Sequence, residues 1–184
     1  MSVISDRDLV LQTRRGKVQA YGQLVSRYQT TVFNTCYRLM SERRDAEDLA
    51  QETFIRAYQR LETFDEDRPF GPWIRRIAAN LCINQMHRSD PPTFDIDEDR
   101  DGYEQSRPLN PEATIIGSEN KERIWEAILG LPFHYRVVIE LRHFLALSYA
   151  EISTVLGVPL SDVKSHLFRA RRLLAERLSY EKIR

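Results

Sequence analysis

Cysteine is almost missing from this chain. Cys36 and Cys82 are the only two in 184 residues, far apart, with no Cys-x-x-Cys and no paired histidines beside them. That excludes a disulfide-stapled scaffold and a zinc site, and fits a reducing compartment. No stretch approaches the roughly 18 apolar residues of a membrane span, and the opening MSVISDRDLV lacks the apolar core of a secretion signal. A soluble, cytoplasmic chain without direct membrane insertion is expected. Net charge is also lacking: 27 Lys plus Arg offset 27 Asp plus Glu, so a uniformly basic nucleic-acid coat is excluded, although local segregation is not. Glycine and proline number only 7 and 8, and the prolines cluster, leaving long stretches suited to helix. An all-α protein follows, and 21.6 kDa suits one compact domain or two small ones.

The composition changes sharply between Ser89 and Ser118. Four prolines fall there, Pro91, Pro92, Pro108 and Pro111, with little helical periodicity. Eight acids against Arg100 and Arg107 leave the segment at −6, so the rest of the chain carries +6. Residues 1–88 and 119–184 are therefore expected to be two small helical domains joined by a flexible acidic linker over 89–118.

In the first block Tyr21, Leu24, Val25, Tyr28, Val32, Cys36 and Leu39 recur at steps of three and four, the mark of an amphipathic helix. Ser41 is expected to restart a second helix, with Leu49, Phe54, Ala57, Tyr58 and Leu61 inward and Asp45, Asp48, Gln51 and Glu52 on another face. A third, through WIRRIAANLCINQMHR, is expected to bury Ile74, Ile77, Ala78 and Leu81. In the second block, helices over 119–129 and 135–144 are divided at Leu131 and Pro132. Ser148 and Glu151 then read as a capping box, Gly157 as a left-handed helix end, and a longer basic helix follows from Ser161 to Leu178. A short helix, a glycine turn and a basic helix together describe a helix-turn-helix.

Three surfaces carry chemistry. On the last helix Val163, Leu167, Ala170 and Leu174 should point inward, sending Lys164, Ser165, Phe168, Arg169 and Arg172 outward. Cations and a hydroxyl suit phosphates and base edges, and a phenyl ring suits a thymine methyl. A solvated basic face with Phe168 tucked against a neighbouring helix is the alternative. The span Arg68 to Arg88 contains no acid, and Trp73, Arg76, Asn80, Asn84 and His87 recur along it at three and four. Aromatic and guanidinium planes stack on unpaired bases while amides pair with their edges; otherwise Trp73 belongs to the core and the amides to solvent. The Asp45, Asp48, Gln51, Glu52 face lacks the histidine or cysteine that would complete a metal site, leaving docking to a basic protein partner or plain solvation. No metal, cofactor or catalytic residue is assigned.

These surfaces, in this order, resemble the extracytoplasmic function (ECF, group IV) sigma factors, the bacterial subunits that give core RNA polymerase its promoter specificity. DAEDLAQETFIRAY resembles their region 2.2. The resemblance implies that Asp48, Gln51 and Glu52 bind the clamp helices of the polymerase β′ subunit, with further contacts to β. FGPWIRRIAANLCINQMHR resembles regions 2.3 and 2.4. It implies that Phe64 and the following loop capture a flipped minus-10 base, with Trp73, Arg76, Asn80 and Asn84 near it. SYAEISTVLGVPLSDVKSHLFRARRLL resembles region 4.2. It implies that Arg142, Lys164, Ser165, His166, Phe168 and Arg169 contact minus-35 DNA. Many members have Thr where Asp162 stands and Arg where His166 stands, which here removes a phosphate contact and makes a cation pH-dependent. The resemblance further implies an anti-sigma factor as regulator and a linker threading the polymerase interior; with only six residues beyond Leu178, no extra C-terminal domain is expected. The competing readings are an operator-binding regulator with an N-terminal sensor or dimerisation block, and a helical metal-dependent hydrolase using Asp45, Glu47, Asp48 and Glu52.

Overall fold

The computed structural model describes residues 4–89 and 118–180, and every regular element among them is a helix or helical turn. The chain divides into two compact units, Met1–Asn84 and Gln85–Arg184. The expected linker over 89–118 lies, apart from its two end residues, outside the described residues.

The N-terminal unit opens with α1, Asp6–Arg14, which the periodicity reading did not anticipate. Ser5 starts it: its hydroxyl accepts from the Asp8 backbone N–H at 3.1 Å, satisfying a donor that the first turn leaves free. Helix α2, Val18–Met40, buries Tyr21, Leu24, Val32, Cys36 and Leu39, as its spacing predicts. Its end corrects the expected boundary. Ser41 is the left-handed C-cap of α2, at φ 64°, with its N–H on the Tyr37 carbonyl, and α3 begins two residues later as Arg43–Gln59.

The inner face of α3 differs from the expected one. The buried line is Ala46, Ala50, Thr53 and Ala57, whereas Leu49 and Phe54 are half-buried and Tyr58 is exposed. Small residues at steps of three and four let α3 lie close along α2, and Tyr21 clips the pair by donating its phenol to the Phe54 carbonyl at 2.5 Å. A 3₁₀ turn, Leu61–Thr63, and a loop then lead into α4, Phe70–Ser89, where Ile74, Ile77, Ala78, Leu81 and Cys82 are buried.

In the C-terminal unit α5, Ser118–Leu129, and α6, Phe133–Ile139, pack on α8, Leu160–Tyr180. Pro132 sits at the N-cap of α6, and buried Arg136 donates to the Leu129 carbonyl at 3.0 Å, closing the end of α5. The helix expected over 135–144 is interrupted, widening into a π turn over Glu140–Phe144. Helix α7, Tyr149–Leu156, has the predicted reciprocal cap, with Ser148 Oγ accepting from Glu151 N–H and the Glu151 carboxylate accepting from Ser148 N–H at 2.8 Å. Gly157, at φ 67°, ends it in a conformation that glycine adopts without penalty. Ser153 ties the turn by donating to the Val158 carbonyl at 2.6 Å, and α8 buries Val163, Leu167, Ala170 and Leu174 as expected.

Candidate nucleic-acid interface

Each unit presents its own surface. On α3, Asp48 and Gln51 are exposed, and Glu52, half-exposed, pairs with Arg56 one turn on at 2.7 Å. Arg43 likewise pairs with Glu47 at 2.8 Å. The outer face is thus a row of carboxylates and an amide, partly neutralised along its flanks, with exposed Ile55 and Tyr58 at its carboxyl end.

On α4 the helical stripe is real. Arg76, Asn80, Asn84 and His87 are all exposed on one side, and Trp73, half-buried, stands at the head of the row. Trp73 is not a buried core residue but the rim of an aromatic cluster: its ring lies 4.7 Å from Phe64 and 5.3 Å from Phe70, and those two rings meet edge to face at 5.5 Å. Phe64 itself is turned inward and only 5% exposed, so its ring is the floor of the loop and is not presented to solvent. The solvent side of the loop carries Asp65, Glu66 and Asp67, ahead of the acid-free span that starts at Arg68. Each of these carboxylates pairs with an arginine, Asp65 with Arg68, Glu66 with Arg14 and Asp67 with Arg7, so the loop surface is locally neutralised, and stacking and amide pairing are the specific chemistry on offer.

In the C-terminal unit the last helix turns Lys164 and Arg172 fully outward, with Ser165, Phe168 and Arg169 partly exposed beside them. Phe168 is therefore neither wholly outward nor tucked away. Ser165 donates back to the Ser161 carbonyl at 3.1 Å. Arg142 reaches the same helix-turn-helix from the π turn. It donates to the Leu147 carbonyl at 2.9 Å, and its guanidinium carbon stands 5.1 Å from the Tyr149 ring centre. His166 departs from the expected set. It is 6% exposed, its ring 5.5 Å from His134 and 5.9 Å from Tyr135, so it packs inside the unit. Burial, then the neighbouring His134, hold its pKa below the usual histidine value, with Asp162 opposing and Arg169 adding to the depression. At neutral pH it is an uncharged packing group.

Sequence reasoning missed one residue that shapes this surface. Arg14, at the end of α1, donates to the Leu61 carbonyl at 2.8 and 3.1 Å, to the Phe64 carbonyl, and to Glu66 at 2.6 Å. The Ser5-Asp6-Arg7-Asp8 start of α1 was a readable helix signal; the 47-residue reach of Arg14 had none.

Two helical units, one bearing an aromatic and amide stripe and the other a capped helix-turn-helix, are the architecture of a sigma-70-type factor. The family pattern described as Sigma-70 region 2 matches residues 24–90, and that described as Sigma-70, region 4 matches residues 121–174. The chain is 34% identical to the ECF RNA polymerase sigma factor SigW of Bacillus subtilis, over 92% of this chain and 94% of that one. It is also 34% identical to the ECF RNA polymerase sigma-E factor of Haemophilus influenzae, over 95% and 96%. Among solved structures it resembles CnrH in complex with the cytosolic domain of CnrY, at TM-score 0.56 and 26% identity, covering 95% of this chain and 97% of that one. The fold is also that of the sigma factor RpoE from Bartonella quintana, solved with the anti-sigma factor NepR, at TM-score 0.56 and 23% identity over 86% and 96%. The chain belongs to the ECF sigma factors: it binds core RNA polymerase and directs promoter-specific transcription initiation. Among the described residues no helix is long and apolar enough to cross a membrane.

Proposed function

We propose a division of labour among these surfaces. The Asp48, Gln51, Glu52 face of α3 docks on the β′ clamp helices of core polymerase, with further contacts to β. The α4 stripe, Trp73, Arg76, Asn80 and Asn84, holds the opened minus-10 strand beside the loop. Helix α8, with Arg142, reads the minus-35 duplex through Lys164, Ser165, Phe168 and Arg169. Phe64 acts from below, as the floor that seats Trp73, and His166 acts by packing α8 on α6. The factor has no catalytic activity of its own and works in the cytoplasm, where the polymerase is.

The observation that carries this reading is the contrast between surfaces. An exposed row of amides and a cation on α4 is headed by an indole already seated in an aromatic cluster, and stands apart from an exposed acidic face on α3. Unpairing a few bases costs a few kcal/mol, and stacking on such a platform returns about 1–3 kcal/mol per base. That CnrH was solved in complex with the cytosolic domain of CnrY supports control of this chain by a protein partner of the anti-sigma type.

Run-off transcription with purified core polymerase on a promoter library tests the whole. Specific transcripts that need both core and this chain, and that vanish with Asp48→Lys together with Gln51→Ala, are expected. A footprint by the chain alone, unaffected by core, would mark an operator-binding regulator instead.

A further inference from the structure

The loop between the 3₁₀ turn and α4 is held at its first end by α1, a helix that lies outside the residues matched by the region 2 family pattern, and at its second by Tyr28 of α2, which α1 braces through Asp6. At the first end Arg14, 17% exposed, closes off the turn. Its guanidinium spends its donors on the Leu61 and Phe64 carbonyls and on the Glu66 carboxylate, and its Nη2 also lies 3.4 Å from the Glu62 carbonyl. The Leu61 carbonyl already accepts the Phe64 N–H that closes the 3₁₀ turn, at 3.2 Å, so Arg14 takes its second lone pair, at the carboxyl end of a helical turn where a cation is favourable. At the second end Asp6 accepts from the Tyr28 phenol and from Arg27. Burial first, then the Asp6 hydrogen bond, push the Tyr28 pKa up to about 12, so the phenol stays a donor. The Tyr28 ring lies against Phe70, 5.3 Å between centres, and so close to Gly71 that an added Cβ there would sit 3.0 Å from Tyr28 Cε1.

Arg14 makes no contribution to the exposed stripe itself. Its bonds instead fix the backbone from Leu61 to Glu66, the span that carries Phe64 under Trp73 and aims the loop at the stripe. We infer that Arg14 is a positioning residue for promoter opening: through the Leu61 and Phe64 carbonyls it holds the loop beside α4 in the shape that receives the unpaired minus-10 strand. The inference rests on the proposal that α4 and the loop hold that strand. A preformed loop binds without first being ordered, and that saving is the effect to be measured. Arg is suited to the task where Lys is not, because its flat fork can address several acceptors at once and an ammonium cannot.

The experiment uses holoenzyme assembled from core polymerase and the full chain, wild type or carrying Arg14→Gln, Arg14→Lys or Asn80→Ala. Three affinities are measured: sigma for core, holoenzyme for a minus-35 duplex, and holoenzyme for a single-stranded non-template minus-10 oligonucleotide. Arg14→Gln should weaken oligonucleotide binding on the order of tenfold, with the other two affinities unchanged, and Arg14→Lys should recover only part of the loss. If Asn80→Ala weakens oligonucleotide binding and neither Arg14 variant does, the positioning role is overturned while the reading of α4 stands. If no variant changes it, both fall. If Arg14→Gln lowers core affinity in step with oligonucleotide affinity, or does not fold, Arg14→Lys decides: loss confined to the oligonucleotide supports the inference, and a parallel loss of core binding overturns it.

Discussion

The guanidinium of Arg142 stands 5.1 Å from the centre of the Tyr149 ring while one of its nitrogens donates to the Leu147 carbonyl at 2.9 Å. The side chain that leaves the π turn is thus steered from two sides before any DNA arrives. Tyr149 is the first residue of α7, so the steering depends on where that helix begins.

If Arg142 contacts the minus-35 duplex, loosening it should weaken that contact. A cation over a partly exposed ring contributes about 0.5–1 kcal/mol, so Tyr149→Ala is expected to weaken minus-35 binding by about two- to fivefold. Tyr149→Phe keeps a π face and should bind as wild type. Titration of holoenzyme with a labelled duplex distinguishes them, and equal losses in both variants would remove the ring from the account.

Asn80 is exposed in the middle of the α4 stripe, one turn beyond Arg76 and one before Asn84. An amide there can pair with a base edge only after the duplex has opened. Loss of one neutral hydrogen bond costs about 0.5–1.5 kcal/mol, so Asn80→Ala should slow opening by about two- to tenfold and leave closed-complex binding nearly intact. Permanganate reactivity of unpaired thymines beside a footprint at low temperature reads the two steps separately. Equal loss of both would argue against the role.

The seam between α2 and α3 depends on side chains too small to fill space. Ala46 and Ala57 are fully buried, and an added isopropyl group has nowhere to go. Ala46→Leu is expected to destabilise the N-terminal unit by about 1–3 kcal/mol through overpacking, whereas Asp45→Ala on the outer face should change stability little. Urea unfolding followed by circular dichroism measures both.

That seam also shows what the sequence could convey. Periodicity placed α2, α4 and α8 and their inner faces, because large apolar residues at steps of three and four are visible in one dimension, and the Ser148–Glu151 cap and Gly157 placed α7. It favoured Leu49, Phe54 and Tyr58 for α3, because a hydrophobic count rewards size, whereas close packing of two helices rewards alanine. Ser41 was misread for a related reason: serine more often opens a helix than closes one, and only the φ of 64° shows which it does here. The exposed stripe on α4 was legible, since polar residues at helical spacing need only the helix to be right. His166 and Phe64 were not. His166 is buried by partners distant along the chain, His134 and Tyr135, and Phe64, between polar Thr63 and Asp65, is turned inward by Phe70 and Trp73 across the loop, contacts that helical spacing does not encode.

The reciprocal cap of α7 sets where the helix-turn-helix begins. Replacing Ser148 with Ala leaves the Glu151 N–H without its acceptor and should cost about 1 kcal/mol, while Ser148→Asp, which can accept the same bond, should cost much less. A lower thermal midpoint for the Ala variant, restored by Asp, is the expected result. Identical midpoints for the two variants would mean that the cap contributes nothing measurable.

His166 gives the C-terminal unit a pH dependence of definite sign. Its folded pKa lies below the unfolded value because burial and His134 disfavour its charge, with Arg169 acting in the same direction and Asp162 against. Above the unfolded value of about 6.5 both states are neutral there and stability is at its maximum. As pH falls below it, the unfolded chain takes up a proton that the folded unit resists, so stability declines until the folded pKa is passed. Unfolding midpoints should therefore drop between pH 7.5 and 5.5, and His166→Leu should flatten that slope. Minus-35 affinity should not rise on acidification, because the imidazole lies behind α8 rather than on its outer face; tighter binding at pH 5.5 that His166→Leu abolishes would instead assign it a direct phosphate contact.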